Sequence, residues 1–276
     1  MKNFKGKAIY NPSGKAGEYS YWACNFYVGC SNGCEYCYCK KGILAGAMGM
    51  DKPQLKKCFK DEKHALDVFT KELMQNGNSI REHGLFFTFT SDPFLPETTL
   101  LTQQAIRQCM QLDIPVKTLT KCTDWVEPFL AELENNGTIW NTEPQKHIFA
   151  FGFTLTGHDE LEPNASTNSE RIEAMRKLHN AGFKTFASIE PIVDFESAAK
   201  MIVSCADFCA LFKIGLMSGG KYDPWEVKNF VNNTNTYLKN NSSGKIYWKD
   251  SLLKTAGISR DQLPENCVGA DFNQFT

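Results

Sequence analysis

Short apolar runs alternate with longer stretches whose apolar residues recur every three or four positions, from about residue 20 to residue 250. The short runs predict strands at Asn25–Val28, Leu85–Thr90, Val116–Leu119, Ile148–Thr154, Lys184–Ile189, Leu211–Ile214 and Ile246–Trp248. Most are near-continuous in apolar residues, as strands covered on both faces must be. The longer stretches predict helices at Glu62–Asn76, Thr98–Gln111, Trp125–Asn135, Ser169–Asn180, Ser197–Ala206 and Trp225–Leu238. Thr167 or Asn168 is placed to cap the fourth helix, and Gly182 follows its end.

Strand and helix alternating in this way predict an α/β fold with parallel strands joined by crossover helices. About six such units make a partial (β/α)6-type TIM barrel, whose active-site groups gather where the strands end. Unusual residues fall at those ends: Gly29-Cys30, Ser91-Asp92-Pro93, Thr120-Lys121, Thr154 to Thr156, Glu190-Pro191 and Gly215. With no repeat, low-complexity tract or evident linker, residues 1–276 read as one domain. Its core covers about 20–220, and 221–276 supply a C-terminal helix, strand and tail.

Bulk chemistry narrows this little. A formal net charge of -1 with 42% hydrophobic and 22% charged residues fits neither a disordered acidic chain nor a strongly basic nucleic-acid binder, though it leaves room for a local basic groove. No apolar run nears the roughly 20 residues that span a bilayer, and Met1 to Tyr10 lack the apolar core of a secretory signal. The expectation is a cytoplasmic protein, without membrane contact. In that reducing setting 11 cysteines, an odd number, suit metal ligation by some of them better than a disulfide framework.

The segment Gly29-Cys30-Ser31-Asn32-Gly33-Cys34-Glu35-Tyr36-Cys37-Tyr38 spaces three cysteines as C-x3-C-x2-C. Such a loop can wrap an iron–sulfur cluster. Gly29 and Gly33 let the backbone take positive φ and approach inorganic sulfide. A cuboidal cluster has four irons, so three thiolates leave one iron open for a ligand. The competing reading is a structural zinc site with Cys24 or Cys39 as fourth thiolate. Against it, only one C-x2-C occurs, and none of His64, His83, His147, His158 and His179 lies near another. Cys205 and Cys209 read as small buried packing residues.

The cysteine loop, with Tyr36 before its third cysteine, resembles the defining loop of the radical-SAM superfamily. That resemblance implies a [4Fe–4S] cluster on Cys30, Cys34 and Cys37, with S-adenosylmethionine on the open iron and cleaved by one electron to a 5′-deoxyadenosyl radical. It further implies an adenine near Tyr36 and an electron donor of flavodoxin or ferredoxin type. From Asn25 to Gly220 the chain resembles the spore photoproduct lyase branch. Gly33-Cys34-Glu35-Tyr36-Cys37-Tyr38, Thr88-Phe89-Thr90-Ser91-Asp92-Pro93-Phe94-Leu95-Pro96-Glu97, Thr120-Lys121, Leu161-Glu162-Pro163, Glu170-Arg171 and Leu178 to Gly182 follow its motifs in order. Ser188-Ile189-Glu190-Pro191 and Lys213-Ile214-Gly215 resemble strand ends of phage-associated radical-SAM-like proteins.

By that resemblance Ser91 and Asp92 hold the methionine amino group or ribose, Lys121 pairs with its carboxylate, and Thr154 contacts the ligand; Glu190, a carboxylate at a strand end before Pro191, is read separately as meeting the ribose or the substrate. The plainer readings are a solvated Lys121 and an Asp92 that caps the turn before Pro93. The branch's hydrogen-donor cysteine position holds Phe89, so repair of spore DNA is not expected. Cys39 and Cys122 are alternative thiols on the same rim, each more simply read as inert. Tyr247-Trp248-Lys249-Asp250 reads as a local Lys–Asp ion pair, and Arg260–Thr276 as a barrel closure or a mobile tail. No residue is assigned to catalysis on the final substrate. That substrate stays open, with nucleic acid among the classes, and a non-catalytic zinc- or cluster-binding module is the alternative.

Overall fold

A computed structural model of the chain describes residues 3–136 and 146–275. Its main sheet runs β1 (Ile9–Tyr10), β2 (Trp22–Cys24), β5 (Leu85–Phe87), β6 (Val116–Thr120), β7 (Phe149–Thr154), β8 (Lys184–Ile192), β9 (Leu211–Leu216) and β10 (Lys245–Trp248), in that spatial order. Only β1 is antiparallel to its neighbour; the rest are parallel. A separate two-strand ribbon joins β3 (Tyr27–Val28) to β4 (Gln54–Leu55). The result is the α/β partial barrel read from the apolar pattern.

Strands β8 and β9 run on past the expected Ile189 and Ile214 to Ile192 and Leu216, and two others depart from the expectation for a specific reason. The first parallel strand is Trp22–Cys24, not Asn25–Val28, because Asn25 leaves the ladder. Its side chain accepts from the Phe89 N–H at 2.8 Å and donates to the Tyr10 hydroxyl at 2.7 Å. The same bond draws the chain out of the sheet after Phe87, so the strand expected to reach Thr90 stops there. The short strands β1 and β4 were not anticipated.

After a single turn, α1 (Ala45–Met48), the first long helix, α2 (Glu62–His83), runs past Gly77, where the expectation ended it at Asn76. Buried Ile80 and the Trp22 indole bonded to Ser79 at 3.1 Å carry it on, and Gly84 stops it at φ 74°. The remaining crossovers are α3 (Thr99–Gln111), α4 (Val126–Asn136), α5 (Asn168–Asn180), α6 (Phe195–Cys205) and α7 (Pro224–Asn241). Thr167 caps α5 in a reciprocal capping box with Glu170. A further short helix, α8 (Asp250–Ala256), follows β10.

Alternation along the strands sends one set of side chains out against the helices and the other into the barrel. The interior set is Ala23, Phe86, Ala150, Phe186, Leu211 and Tyr247, all buried. The tip of the Phe186 ring abuts Gly152: a Cβ there would fall 2.1 Å from the ring. Gly152 is therefore fixed by packing, and each fully buried phenylalanine contributes about 2–3 kcal/mol of burial.

The tail closes the barrel's lower end. Residues 266–268 bond along β10, through Ile246 N–H to Asn266 (2.9 Å) and Val268 N–H to Ile246 (2.8 Å). Phe275 lies against the Lys117 and Lys184 ammonium groups. Thr276, also part of the expected tail, lies outside the described residues. Among the described residues no helix is long and apolar enough to cross a membrane.

Candidate functional site

At the C-terminal ends of the strands lies a cavity of about 440 Å³. All nine residues singled out from the sequence line it: Cys30, Cys34, Tyr36, Cys37, Ser91, Asp92, Lys121, Thr154 and Glu190. Each stands at or just beyond a strand end, which is why residues so far apart in the chain meet.

The cysteine loop follows β3 and is tied at several points. Cys30 N–H donates to Met50 O (3.0 Å), Glu35 N–H to Leu161 O (3.0 Å), and the Asn164 side chain to Ser31 O (3.0 Å). Gly29 takes φ 85° and Gly33 φ 73°. At Gly29 a Cβ would sit 2.5 Å from Lys52 O, so the backbones approach too closely for any other residue.

All three thiols are free of disulfides. Burial pushes Cys30 up to about 12, with Asp92 adding to it, and burial also raises Cys34. Cys37 moves the other way, to about 6, because the Cys39 thiol hydrogen-bonds its sulfur. A thiolate is the form that ligates metal. Among the described residues no three or more His, Cys, Asp or Glu side chains converge as a set for one metal ion. The side chains as they stand thus display neither a zinc site nor a preformed cluster cradle. The donor chemistry still fits a cluster: three free thiols on one glycine-hinged loop, facing a cavity with a buried hydroxyl, Ser91 Oγ, that has no hydrogen-bond partner among the described residues.

Asp92 is a hub. Its carboxylate, buried, accepts from Thr120 Oγ1 (2.6 Å), Lys121 N–H (2.8 Å), the Asn32 side chain (2.9 Å) and Phe94 N–H (3.0 Å). Four donors fill a carboxylate's acceptor sites. One side chain therefore clasps the cysteine loop, through Asn32, to the end of β6.

Lys121 extends over the Tyr36 ring at 5.6 Å and lies 4.0 Å from Glu162. Burial works against its charge, but Tyr36, Cys34 and Glu162 outweigh it and hold the ammonium well above its ordinary value. Tyr36 hydrogen-bonds Glu162, and burial raises its hydroxyl. Glu162 in turn meets Arg171 at 2.6 Å, both side chains being fully buried; the contact is an ion pair outside hydrogen-bond alignment. Arg171 also donates to Thr154 O (2.8 Å) and Ser166 O (2.7 Å), which joins the cysteine loop to β7.

Across the cavity the segment Gly14–Tyr19 supplies a second cluster. Tyr19 hydroxyl bonds Ser188 (2.6 Å) and Glu190 (2.8 Å). Lys249 reaches Lys15 O (2.7 Å), Glu18 (3.0 Å) and Glu190 (3.5 Å), with only 1% of its side chain exposed. The expected Lys249–Asp250 pair does not form: Asp250 pairs with Arg260 instead, because the helix turn after β10 points the neighbours apart. A bulge between Ile189 and Ile192 turns Glu190 toward this cluster.

Sequence reasoning gave no role to Glu162 and Arg171, although both stand in the motif string it quoted. Glu18, Tyr19 and Asn32 carried no signal, since each acts only through a distant partner.

The sequence matches no protein-family model and no curated protein. Among solved structures the fold is similar to SuiB of Streptococcus suis bound to S-adenosylmethionine, with TM-score 0.56 and 12% identity over 84% of this chain. It is likewise similar to a second crystal structure of Streptococcus suis SuiB, with TM-score 0.55 and 13% identity over 90% of this chain. The chain spans about half of SuiB, 51% and 52% of its length in the two structures. At this identity the likeness establishes one thing, that the chain has the α/β partial-barrel fold of SuiB.

Proposed function

We propose that this chain is a radical-SAM enzyme, in which Cys30, Cys34 and Cys37 hold a [4Fe–4S] cluster and the adjoining cavity wall holds S-adenosylmethionine. The observation that carries the reading is the meeting of three free thiols with Ser91, Lys121 and Thr154 in one strand-end cavity. The fold shared with SuiB, a protein solved with S-adenosylmethionine bound, supports it. When bound, such a cluster supplies the electron that splits the sulfonium and yields a 5′-deoxyadenosyl radical.

The protein's own residues bind and orient. Lys121 offers a fixed cation to the ligand carboxylate, and buried Ser91 Oγ gains a partner from the ligand's polar groups. Tyr36, backed by Glu162, presents an aromatic face toward the adenine. Thr154 and Glu190 bound the cavity on the β7 and β8 sides. Asp92, saturated by protein donors, acts as the clasp that keeps loop and lysine in register, not as a ligand contact. The reductant is of flavodoxin or ferredoxin type, and residues 1–276 act as one domain. The finer kinship with the spore photoproduct lyase branch rests on the motif string alone, and nucleic acid remains one candidate substrate class.

Oxygen-free purification tests this directly. Brown protein carrying about three to four irons per chain, with an electron-spin signal that changes on adding S-adenosylmethionine and 5′-deoxyadenosine released after dithionite, is the expected result. Colourless protein holding one zinc overturns it.

A further inference from the structure

The chain carries a formal net charge of -1, yet the cavity is lined by five lysines (Lys15, Lys40, Lys41, Lys121 and Lys249) against two carboxylates, Asp92 and Glu190. What attracts anions is the positive charge left over once the lysines' own carboxylate partners are taken into account. Three of the lysines are committed. Lys249 has three acceptors within 3.5 Å, Lys121 lies beside Glu162, and Lys40 pairs with Asp51 at 2.5 Å. Lys15 and Lys41, both exposed at the mouth, have no acidic partner among the described residues.

Lys15 is also held in place. It sits in the tight turn Gly14–Ala16, its carbonyl is fixed by Lys249, and its ammonium donates to Ser218 Oγ at 2.8 Å. Ser218 opens the glycine loop Ser218-Gly219-Gly220 after β9, which is braced by Gly220 N–H to Met217 O (3.1 Å) and Met217 N–H to the Tyr222 hydroxyl (3.0 Å). The N–H groups of Ser218 and Gly219 have no acceptor among the described residues. Gly219 takes φ 82° with open space where a Cβ would stand. An ammonium, a hydroxyl and two consecutive free amides on a braced loop are the donor set of an oxyanion site.

We propose that this mouth is a substrate subsite for an oxyanion, a phosphate group in first place, seated on Lys15, Ser218 and the Ser218–Gly219 amides with Lys41 on the facing rim. The substrate is accordingly an anionic molecule whose uncharged portion reaches down toward the thiols. The substrate role rests on the radical-SAM reading; the anion site itself does not.

Calorimetric titration of the full-length, anaerobically reconstituted protein at low ionic strength uses inorganic pyrophosphate and succinate as probes. Lys15→Ala is expected to weaken pyrophosphate about tenfold, the loss of one charge-assisted hydrogen bond, and Lys228→Ala, exposed on α7, to leave it unchanged. A Lys15-dependent affinity for succinate alone keeps the subsite and makes the group a carboxylate. If neither anion responds to Lys15→Ala, or Lys228→Ala weakens binding equally, the subsite is refuted. Deoxyadenosine release by the wild-type protein is scored separately. Its absence beside Lys15-dependent binding removes the radical reading and leaves the anion site, and the reverse pattern removes the site alone.

Discussion

Replacing Arg171 by leucine tests the buried join between the cysteine loop and the sheet. The guanidinium is fully buried and serves Glu162 (2.6 Å), Thr154 O (2.8 Å) and Ser166 O (2.7 Å). Leucine fills part of the volume but leaves the Glu162 carboxylate in the core with, among the described residues, the Tyr36 hydroxyl and a lysine 4.0 Å away. Stranding one charge of a buried pair costs about 3–5 kcal/mol, and two deserted carbonyls keep the loss in the upper half of that range. Against a total stability of roughly 5–15 kcal/mol this is a large share. It corresponds to a fall in Tm of roughly 8–20 °C.

Urea unfolding followed by far-ultraviolet circular dichroism reads the loss, and iron per chain after reconstitution reads its effect on the loop. The double variant Arg171→Met/Glu162→Met removes both charges, and it should regain much of the stability lost by Arg171→Leu. A single-variant loss below about 1 kcal/mol, or a double variant worse than Arg171→Leu, would refute the reasoning.

Other changes probe other parts of the molecule. Gly152→Ala drives a Cβ into the Phe186 ring and should cost about 1–3 kcal/mol or more, and Phe186→Leu in the same chain should recover part of it; thermal melts of the three variants check the coupling. Asp92→Asn turns one acceptor into a donor facing a donor, so about 2 kcal/mol of stability and much of the iron loading should go, measured by melting and by iron assay. His158 is opposed by burial, but its contacts with Glu160 and Asp194 raise it above 6.5 on balance. Because its folded value exceeds its unfolded one, its contribution is complete below pH 6.5 and is lost as pH rises through the raised value. The stability gap between wild type and His158→Gln should therefore shrink from pH 6 to pH 8 in urea titrations, and a gap that widens would contradict the assignment.

The barrel was legible because doubly covered strands are short apolar runs, as at Phe149–Thr154 and Leu211–Leu216, and because capped amphipathic helices announce their ends, as Thr167 does. Boundaries failed where a single polar side chain redirected the backbone. Asn25 looked like the start of a strand and is the residue that leaves it. The cavity wall was readable from strand-end polarity, so Cys30, Ser91, Lys121 and Glu190 could be named from the sequence. What holds them was hidden. The contacts of Asp92 with Asn32, Glu162 with Arg171 and Lys249 with Glu18 span 60, 9 and 231 positions, and no local pattern encodes them. The N-terminal turn at Gly14–Ala16 drew no attention because its role exists only once Lys249 is beside it.

Residues 266–275 stopper the barrel from beneath, with Phe275 capping the inner lysines. Because the chain's own last residues fill the floor, the strands whose upper ends carry the thiols stand on a base supplied by the far end of the sequence, and loss of that tail would be felt in the scaffold of the site.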